Sequence, residues 1–376
     1  MKRVISLALC LVMVVCSLAV LASCGKDEEN AYSVAMITDY GDITDQSFNQ
    51  TTHEACKAFC ETNKIKYKYF KPASNNDASR IASVDLAVGE GYNVVVMPGY
   101  AFAATIKDVA PRYSDVRFIA LDCGAGDFGA DYTLPKNVTS FVYQEELAGF
   151  MAGYGAVKEG YKKLGFLGGI AVPAVIRFGY GFVQGANKAA EEMNIANDVS
   201  VEYVYGGQFS GDPAITAVMD TWYGEKGVEV VFACGGGIYT SACEAAKKVG
   251  KKVIGVDTDQ SGIMNGTYGN GICITSAMKG LAATVNTALT DLILNEGKNW
   301  DSTYAGKITN MGLVSGVDPQ LNYVQLPMNT WSMTKFTVDD YKALVKKLYD
   351  KEITVSGATD AMPTVTITVT TYDNIK

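Results

Sequence analysis

The chain has 376 residues, of which 48% are hydrophobic and 19% charged, so disorder over the whole chain is excluded. A single hydrophobic core rarely grows beyond roughly 250–300 residues, and the length therefore predicts two domains. The 32 basic and 40 acidic residues give a net charge of −8, and the only histidine is His53. These counts exclude the broad positive field of a nucleic-acid-binding protein and a metal site built from several histidines.

Residues 1–23 have the pattern of an export signal. Two basic residues precede an apolar run from Val4 to Leu21, and small residues follow the run. The run is also near the lower limit for a membrane span, so a retained anchor is the alternative. The sequence Leu-Ala-Ser-Cys that ends at Cys24 resembles a bacterial lipoprotein signal, which implies cleavage before Cys24 and attachment of lipid to its thiol. Two acyl chains give stable attachment, and residues 24–31 would be a tether at the outer face of the cell membrane.

The region from Ser33 to Val142 alternates apolar strands with helices. Short apolar runs bounded by Gly, Pro or Asp are typical of strands that are covered on both faces. In chain order, strands and helices are predicted at Ser33–Thr38, Gln46–Asn63, Lys66–Phe70, Asp77–Gly89, Asn93–Met97, Phe102–Tyr113, Arg117–Leu121 and Val138–Val142.

A second alternating series follows the first. It is predicted at Lys163–Leu167, Ile176–Met193, Val201–Tyr205, Pro213–Gly224, Val228–Phe232, Tyr239–Val249 and Lys252–Val256, with a later helix at Met278–Asn295 and a final strand at Thr364–Thr371. Two such series predict an α/β protein with two doubly wound parallel-sheet lobes. The first lobe is expected to comprise residues 32–143 and about 277–308, and the second 144–276 and about 309–376. Ligands of open α/β sheets bind at the carboxyl ends of the strands, so a hinged cleft between the lobes is expected.

Polar and aromatic side chains follow the first predicted strand. Asp39, Asp42 and Asp45 recur at every third residue, but the spacing differs from that of an EF-hand calcium loop, and no closing Glu follows. Asp45 is instead predicted to cap the next helix, a contribution of about 1 kcal/mol. Phe48 offers a stacking face, with a core role as the alternative, and Asn49 offers a donor and an acceptor.

Two further strand ends carry candidate cleft residues. Gly235 and Gly236 follow a strand without the Lys-Ser/Thr of a phosphate-binding loop, so a close approach of their backbone to a ligand is predicted. After the strand that ends at Met97, Tyr100 or Phe102 could reach the ligand, or the segment could be a plain turn.

Six cysteines follow Cys24 in the chain. Their scatter through apparent core elements and the lack of a CxxC pair favour buried thiols over a zinc or redox site, and disulfides stay open. The six are Cys56, Cys60, Cys123, Cys234, Cys243 and Cys273.

Several separated motifs, taken in order, resemble the basic membrane protein lipoproteins, and within them the purine nucleoside receptor type. The resemblance spans roughly Ser33 to Val324. The motifs are Ile37-Thr38-Asp39, Asp45-Gln46-Ser47-Phe48-Asn49-Gln50, Glu145-Glu146-Leu147-Ala148-Gly149, Gly165-Phe166-Leu167-Gly168-Gly169, Phe178 with Gly181-Phe182 and Gly185, Gly207-Gln208-Phe209 with Asp212-Pro213, Val256-Asp257-Thr258-Asp259-Gln260, and Thr275-Ser276 with Lys279.

The resemblance implies a type I periplasmic-binding-protein fold and a receptor that delivers its ligand to the permease of an ABC importer. It implies no enzyme activity, no cofactor and no metal. Asp39 and Asn49 would bind the edge of a purine, and Phe48 and Phe209 would stack on its two faces.

The same resemblance assigns Asp257 and Lys279 to the ribose hydroxyls. A nucleoside is neutral, so a site for it needs no cluster of arginines. One alternative is a receptor of the same fold that binds a sugar or a signalling metabolite. The other is a nucleoside-processing enzyme that uses Asp257 and Asp259, for which the sequence offers no clear partner of matched pKa.

Overall fold

The computed structural model describes residues 31–129 and 131–376. The expected signal (residues 1–23), the lipid site Cys24 and nearly all of the tether lie outside the described residues. Within those residues, no helix is both long and apolar enough to cross a bilayer.

Across the described residues, thirteen strands form two sheets, and several of the strands are short apolar runs. In chain order they are β1 (Ser33–Ile37), β2 (Lys66–Phe70), β3 (Val94–Pro98), β4 (Arg117–Leu121), β5 (Val138–Tyr143), β6 (Lys163–Gly168), β7 (Ser200–Tyr205), β8 (Val230–Cys234), β9 (Lys252–Asp257), β10 (Cys273–Lys279), β11 (Lys307–Met311), β12 (Val324–Gln325) and β13 (Thr368–Thr371). The first sheet has the order β11-β5-β4-β3-β1-β2, and the second has the order β12-β10-β9-β8-β6-β7-β13. All neighbouring strands are parallel except β10 and β12.

Helices connect the strands and cover both sheets. They are α1 (Phe48–Thr62), α2 (Asp77–Gly89), α3 (Phe102–Arg112), α4 (Ala125–Phe128), α5 (Glu145–Glu159), α6 (Pro173–Glu192), α7 (Pro213–Gly224), α8 (Tyr239–Val249), α9 (Ser261–Tyr268), α10 (Leu281–Leu289) and α11 (Val338–Tyr349). Strands such as β3 and β8 are buried along their whole length, as parallel strands between helices must be. The two predicted doubly wound lobes are confirmed.

The chain passes between the sheets three times. It leaves the first sheet after Tyr143, returns between Lys279 and Lys307, and leaves again between Met311 and Val324. The expected boundaries were 143, about 277 and about 308. In the structure, β10 extends the second lobe to Lys279, and β11 extends the first lobe to Met311.

The helix predicted at Met278–Asn295 begins too early. Met278 and Lys279 belong to β10, where they pair with β12, and α10 begins only at Leu281. Gly280 separates the two elements. Helix α10 packs against α1 of the first lobe.

Helix α5 was not predicted, because its glycines lower helix propensity. The structure explains them by close packing against α6. A Cβ atom on Gly149 would lie 2.1 Å from the carbonyl oxygen of Phe178, and one on Gly185 would lie 2.0 Å from that of Phe150. Glycines on both helices therefore let the backbones touch.

The six cysteines after Cys24 are all buried, and none forms a disulfide in the described part of the chain. Burial raises the pKa of each of these thiols. A raised pKa disfavours the thiolate, so these cysteines behave as small hydrophobic side chains.

Candidate functional site

A cavity of about 610 Å³ lies between the lobes, where the carboxyl ends of both sheets meet. Its walls come from the residues after β1, β3 and β4 in the first lobe and at the ends of β6 to β10 in the second. All eight residues predicted to bind ligand line it: Asp39, Phe48, Asn49, Phe209, Gly235, Gly236, Asp257 and Lys279.

Asp39 follows β1 and is held by the backbone of its own loop. Its Oδ1 accepts hydrogen bonds from the amides of Tyr40 (2.7 Å) and Gly41 (3.0 Å). Burial raises the pKa of this carboxyl, and the two amide bonds oppose the rise. The rest of the carboxylate remains available to a donor in the cavity.

Asn49 lines the cavity and has an unused hydrogen-bond acceptor. Its side-chain Nδ2 donates to Asp45 Oδ2 at 3.1 Å, while its Oδ1 is buried without a hydrogen-bond partner. Asp45 also accepts the backbone amides of Asn49 (3.0 Å) and Gln50 (3.1 Å), so it caps the first turn of α1 from two residues before Ser47, which occupies the N-cap position. A buried amide oxygen without a partner is costly, so this atom is suited to a ligand donor.

Phe48 lies in the first turn of α1 and is half-buried on the cavity wall. The Lys279 ammonium lies 4.8 Å from the centre of its ring. Phe48 therefore lines the cavity wall while it also packs against the buried core.

Phe209 packs directly against glycines of two neighbouring loops. A Cβ on Gly169 would lie 2.3 Å from Phe209 Cδ1, and one on Gly235 would lie 2.7 Å from the same atom. On Gly236, whose φ is +51°, a Cβ would meet the Phe209 carbonyl at 2.8 Å. The glycines after β8 thus make room for this aromatic residue as well as lining the cavity.

Asp257 ends β9 in the left-handed backbone region, with φ of 65°. Its Oδ2 accepts the hydroxyl of Ser47 from the first lobe at 2.7 Å, and its Oδ1 lies 3.7 Å from Lys279 Nζ. Burial raises the pKa of Asp257, and the nearby ammonium opposes the rise. A non-glycine residue in this conformation is strained, and such strain concentrates at functional sites.

Asp122 is a cavity residue that the sequence reasoning missed. It follows β4 with φ of 63°, the first-lobe counterpart of Asp257. Its Oδ2 accepts a hydrogen bond from Lys279 Nζ at 2.5 Å, and its buried Oδ1 has no partner. Its position directly after an apolar strand was the signal that could have identified it.

Lys279 is the centre of a buried charge network. Its ammonium lies among Asp122, Asp257 and Glu145, and Glu145 in turn accepts a bond from Arg177 Nε at 2.6 Å. The three carboxylates raise the pKa of Lys279 against the effect of burial, so the amine stays protonated. Burial and the excess of carboxylates raise the pKa of Asp122 to about 6.

The structure distinguishes the remaining candidates by whether they line the cavity. Tyr100 lines the cavity, whereas Phe102 is fully buried in the first lobe. Asp42 also lines the cavity and forms an ion pair with Lys71 at 2.9 Å. Across the described residues, no cluster of three or more His, Cys, Asp or Glu side chains is arranged to hold a metal ion.

Comparisons with known proteins show the family of the chain. Residues 32–357 match the family model described as Bmp, ABC transporter substrate-binding protein PnrA-like. An ABC transporter nucleoside-binding protein, BmpA, from Lactococcus lactis is 28% identical over 280 residues, which cover 69% of this chain and 74% of that protein. Basic membrane protein A of Borreliella afzelii is 27% identical over 332 residues, or 87% of this chain and 92% of that protein.

Solved structures show the same fold. A solute-binding protein of an ABC transporter system from Aeropyrum pernix superposes with a TM-score of 0.66 at 21% identity, covering 86% of this chain and 87% of that one. One from Conexibacter woesei gives 0.64 at 20% identity, with 87% and 99% covered. The predicted fold of the type I periplasmic-binding-protein kind and the resemblance to basic membrane proteins are confirmed, and the matched proteins are substrate-binding proteins rather than enzymes. The chain belongs to the PnrA-like family of ABC transporter substrate-binding proteins.

Proposed function

We propose that this protein is a lipid-anchored receptor on the outer face of a bacterial cell membrane that captures purine nucleosides for an ABC importer. The observation that carries the proposal is one cavity with aromatic side chains from both lobes at its walls and unpartnered buried oxygens beside them. A relative, BmpA of Lactococcus lactis, is named a nucleoside-binding protein.

The base would bind between the aromatic residues. Phe48 and Phe209 line the cavity from opposite lobes, so closure of the cleft would enclose a flat ring between them. Stacking of a base on an aromatic side chain contributes about 1–3 kcal/mol. Asn49 Oδ1, which lacks a partner, and Asp39 would accept hydrogen bonds from the purine edge.

The ribose would bind at the charged end of the cavity. Asp257 and Lys279 are the predicted hydroxyl-binding pair, and the free Oδ1 of Asp122 adds a third group. Bonds from hydroxyls to carboxylates are charge-assisted and therefore strong. Lys279 is already surrounded by three carboxylates, so a phosphate group would meet an excess of negative charge, and the uncharged sugar is favoured.

The anchor and the permease complete the proposal. Lipid on Cys24 and the tether of residues 24–31 would keep the two lobes close to the membrane, where the permease of the importer receives the ligand. Labelling of cells with a radioactive fatty acid tests the anchor, because Cys24→Ala should abolish the labelling and leave residues 1–23 uncleaved.

Isothermal titration calorimetry tests the ligand. We expect adenosine, guanosine or inosine to bind with micromolar or tighter affinity and each free base to bind more weakly than its riboside. Denatured samples should also release a compound that absorbs near 260 nm. Absence of heat with all three nucleosides, together with a retained sugar that does not absorb, would replace the proposal by the sugar-receptor alternative.

A further inference from the structure

Residues 368–376, called here the tail segment, lie beyond the residues that the family model matches. Strand β13 begins the segment and pairs in parallel with β7 at the edge of the second sheet. The segment then continues along β7, because the amide of Tyr372 donates to the carbonyl of Tyr203 and that of Ile375 to the carbonyl of Tyr205, both at 3.0 Å. It therefore reaches the carboxyl end of β7, where the cavity wall starts.

At that point Lys376 contacts both ends of one loop. The loop, Gly207–Asp212, follows β7 and carries Phe209, and it is called here the Phe209 loop. A Cβ on Gly207 would lie 2.5 Å from the carbonyl oxygen of Lys376, so the two backbones are in direct contact. The ammonium of Lys376 forms an ion pair with Asp212.

The other side of the Phe209 loop is held by the residues that follow β6 and β8. The amide of Gly207 donates to the carbonyl of Gly169 at 2.9 Å, and the amide of Gly237 donates to that of Phe209 at 2.8 Å. The Phe209 ring lies against Gly169 and Gly235. The loop is thus fixed on one side by the strand ends and on the other by the tail segment.

We propose that the tail segment is a positioning element for ligand binding, in which Lys376 holds the Phe209 loop so that the aromatic wall of the second lobe is formed before the ligand arrives. A loop that must be ordered on binding costs affinity, and a loop that is ordered beforehand does not. The identity of the ligand rests on the proposed function, but the effect on the loop does not.

If the tail segment served only to protect the sheet edge, its loss would promote aggregation and would not change the order of the Phe209 loop. Strand β13 covers the edge of β7, and an uncovered edge strand invites aggregation. The same segment offers a control for this role, because the Tyr372 hydroxyl contacts Lys226 and Glu202 away from the Phe209 loop. Tyr372→Phe removes these contacts and leaves Lys376 in place.

Hydrogen exchange of the ligand-free protein is the first measurement. A chain that stops after Asp373 should exchange the amides of residues 207–212 and of Gly237 about tenfold faster than wild type, since loss of local contacts promotes local opening. Tyr372→Phe should leave this exchange unchanged. Equal exchange in the truncated and the wild-type chain would overturn the proposal.

Binding of inosine by calorimetry is the second measurement. Lys376→Ala should weaken binding about threefold, as for one exposed ion pair, and the truncation about tenfold because the loop is then ordered on binding. Both effects should vanish in a Phe209→Leu background and persist in a Phe48→Leu background, because only coupled residues are non-additive. A loss that persists undiminished with Phe209→Leu overturns the proposal, whereas faster exchange without any nucleoside binding by wild type overturns only the proposed function.

Discussion

The two ends of the cavity differ in how many of their polar side chains already have hydrogen-bond or ion-pair partners within the protein. At the charged end, Lys279 bonds to Asp122 and Asp257 bonds to Ser47 across the cleft, although Asp122 Oδ1 has no partner. At the aromatic end, the Phe48 ring is half-buried, and the Asn49 oxygen has no partner.

This difference assigns separate tasks to the two ends. Bonds that already connect the lobes stabilise the closed protein whether or not a ligand is present. Groups without partners add a favourable interaction only when a ligand provides the missing partner. Substitutions at the charged end should therefore lower stability and affinity together, and substitutions at the aromatic end should lower affinity alone.

The largest effect is expected from Lys279→Met. It leaves Asp122, Asp257 and Glu145 buried without their common cation, and loss of one partner of a buried ion pair costs about 3–5 kcal/mol. Urea unfolding of the ligand-free protein at pH 7 measures this loss. The exposed pair Lys57–Glu61 is the control, and Lys57→Met should leave the midpoint unchanged. Equal midpoints for the two variants would show that the charged end does not stabilise the fold.

A smaller effect is expected from Asp257→Asn, measured as affinity. The variant keeps the shape but loses the charged acceptor, and a hydrogen bond to a charged group contributes about 1.5–3 kcal/mol. Calorimetry should show this loss for inosine and little change for hypoxanthine. The exposed Asp108, paired with Arg112, is the control through Asp108→Asn. Equal losses for riboside and base would move Asp257 away from the sugar.

Phe48→Ala distinguishes the two ends most directly. We expect the affinity for nucleosides to fall by about 1–3 kcal/mol and the melting temperature of the ligand-free protein to stay nearly constant. Phe102→Ala is the matched variant, because the Phe102 ring is fully buried and its loss costs about 3–5 kcal/mol of stability. If Phe48→Ala destabilises the empty protein as strongly as Phe102→Ala does, Phe48 is a core residue.

The aromatic end was more accessible to sequence reasoning than the charged end. Phe48 and Asn49 follow a clear strand and begin a helix, so local pattern identified them as candidates, with a core role for Phe48 as the alternative. Asp122 also follows an apolar strand directly, but its role depends on Lys279, which is distant in sequence and lies on the other lobe. Such a pairing is a property of lobe closure and leaves no local periodicity.

The contrast between features set by local sequence and features set by distant residues also applies to the fold. The bounds of α2, α7 and α8 were predicted to the residue, since their apolar spacing and end signals are local. Helix α5 was missed because Gly149 has no local rationale, and its reason is the backbone of α6. Met278 and Lys279 were assigned to a helix because their pairing with β12 involves residues far along the chain.

The smallest expected effect concerns pH. Burial raises the pKa of Asp122 from 3.8 to about 6 and that of Glu146, which does not line the cavity, from 4.5 to about 7. A carboxyl whose pKa is raised in the folded state stabilises the fold fully below its unfolded pKa, and that stability is lost as pH rises through the folded pKa. The free energy of unfolding should thus be greater at pH 5 than at pH 7, by about 1 kcal/mol for Asp122 and about 2 kcal/mol for Glu146.

Two isosteric variants separate these contributions. Asp122→Asn and Glu146→Gln should each reduce the difference in unfolding free energy between pH 5 and pH 7, measured by urea unfolding. Only Asp122→Asn should also change how inosine affinity depends on pH, because only Asp122 lines the cavity. An unchanged pH dependence of stability in both variants would mean that neither carboxyl titrates in this range. A changed pH dependence of affinity in Glu146→Gln would mean that the charged end extends beyond the cavity wall, through Glu145 to the first turn of α5.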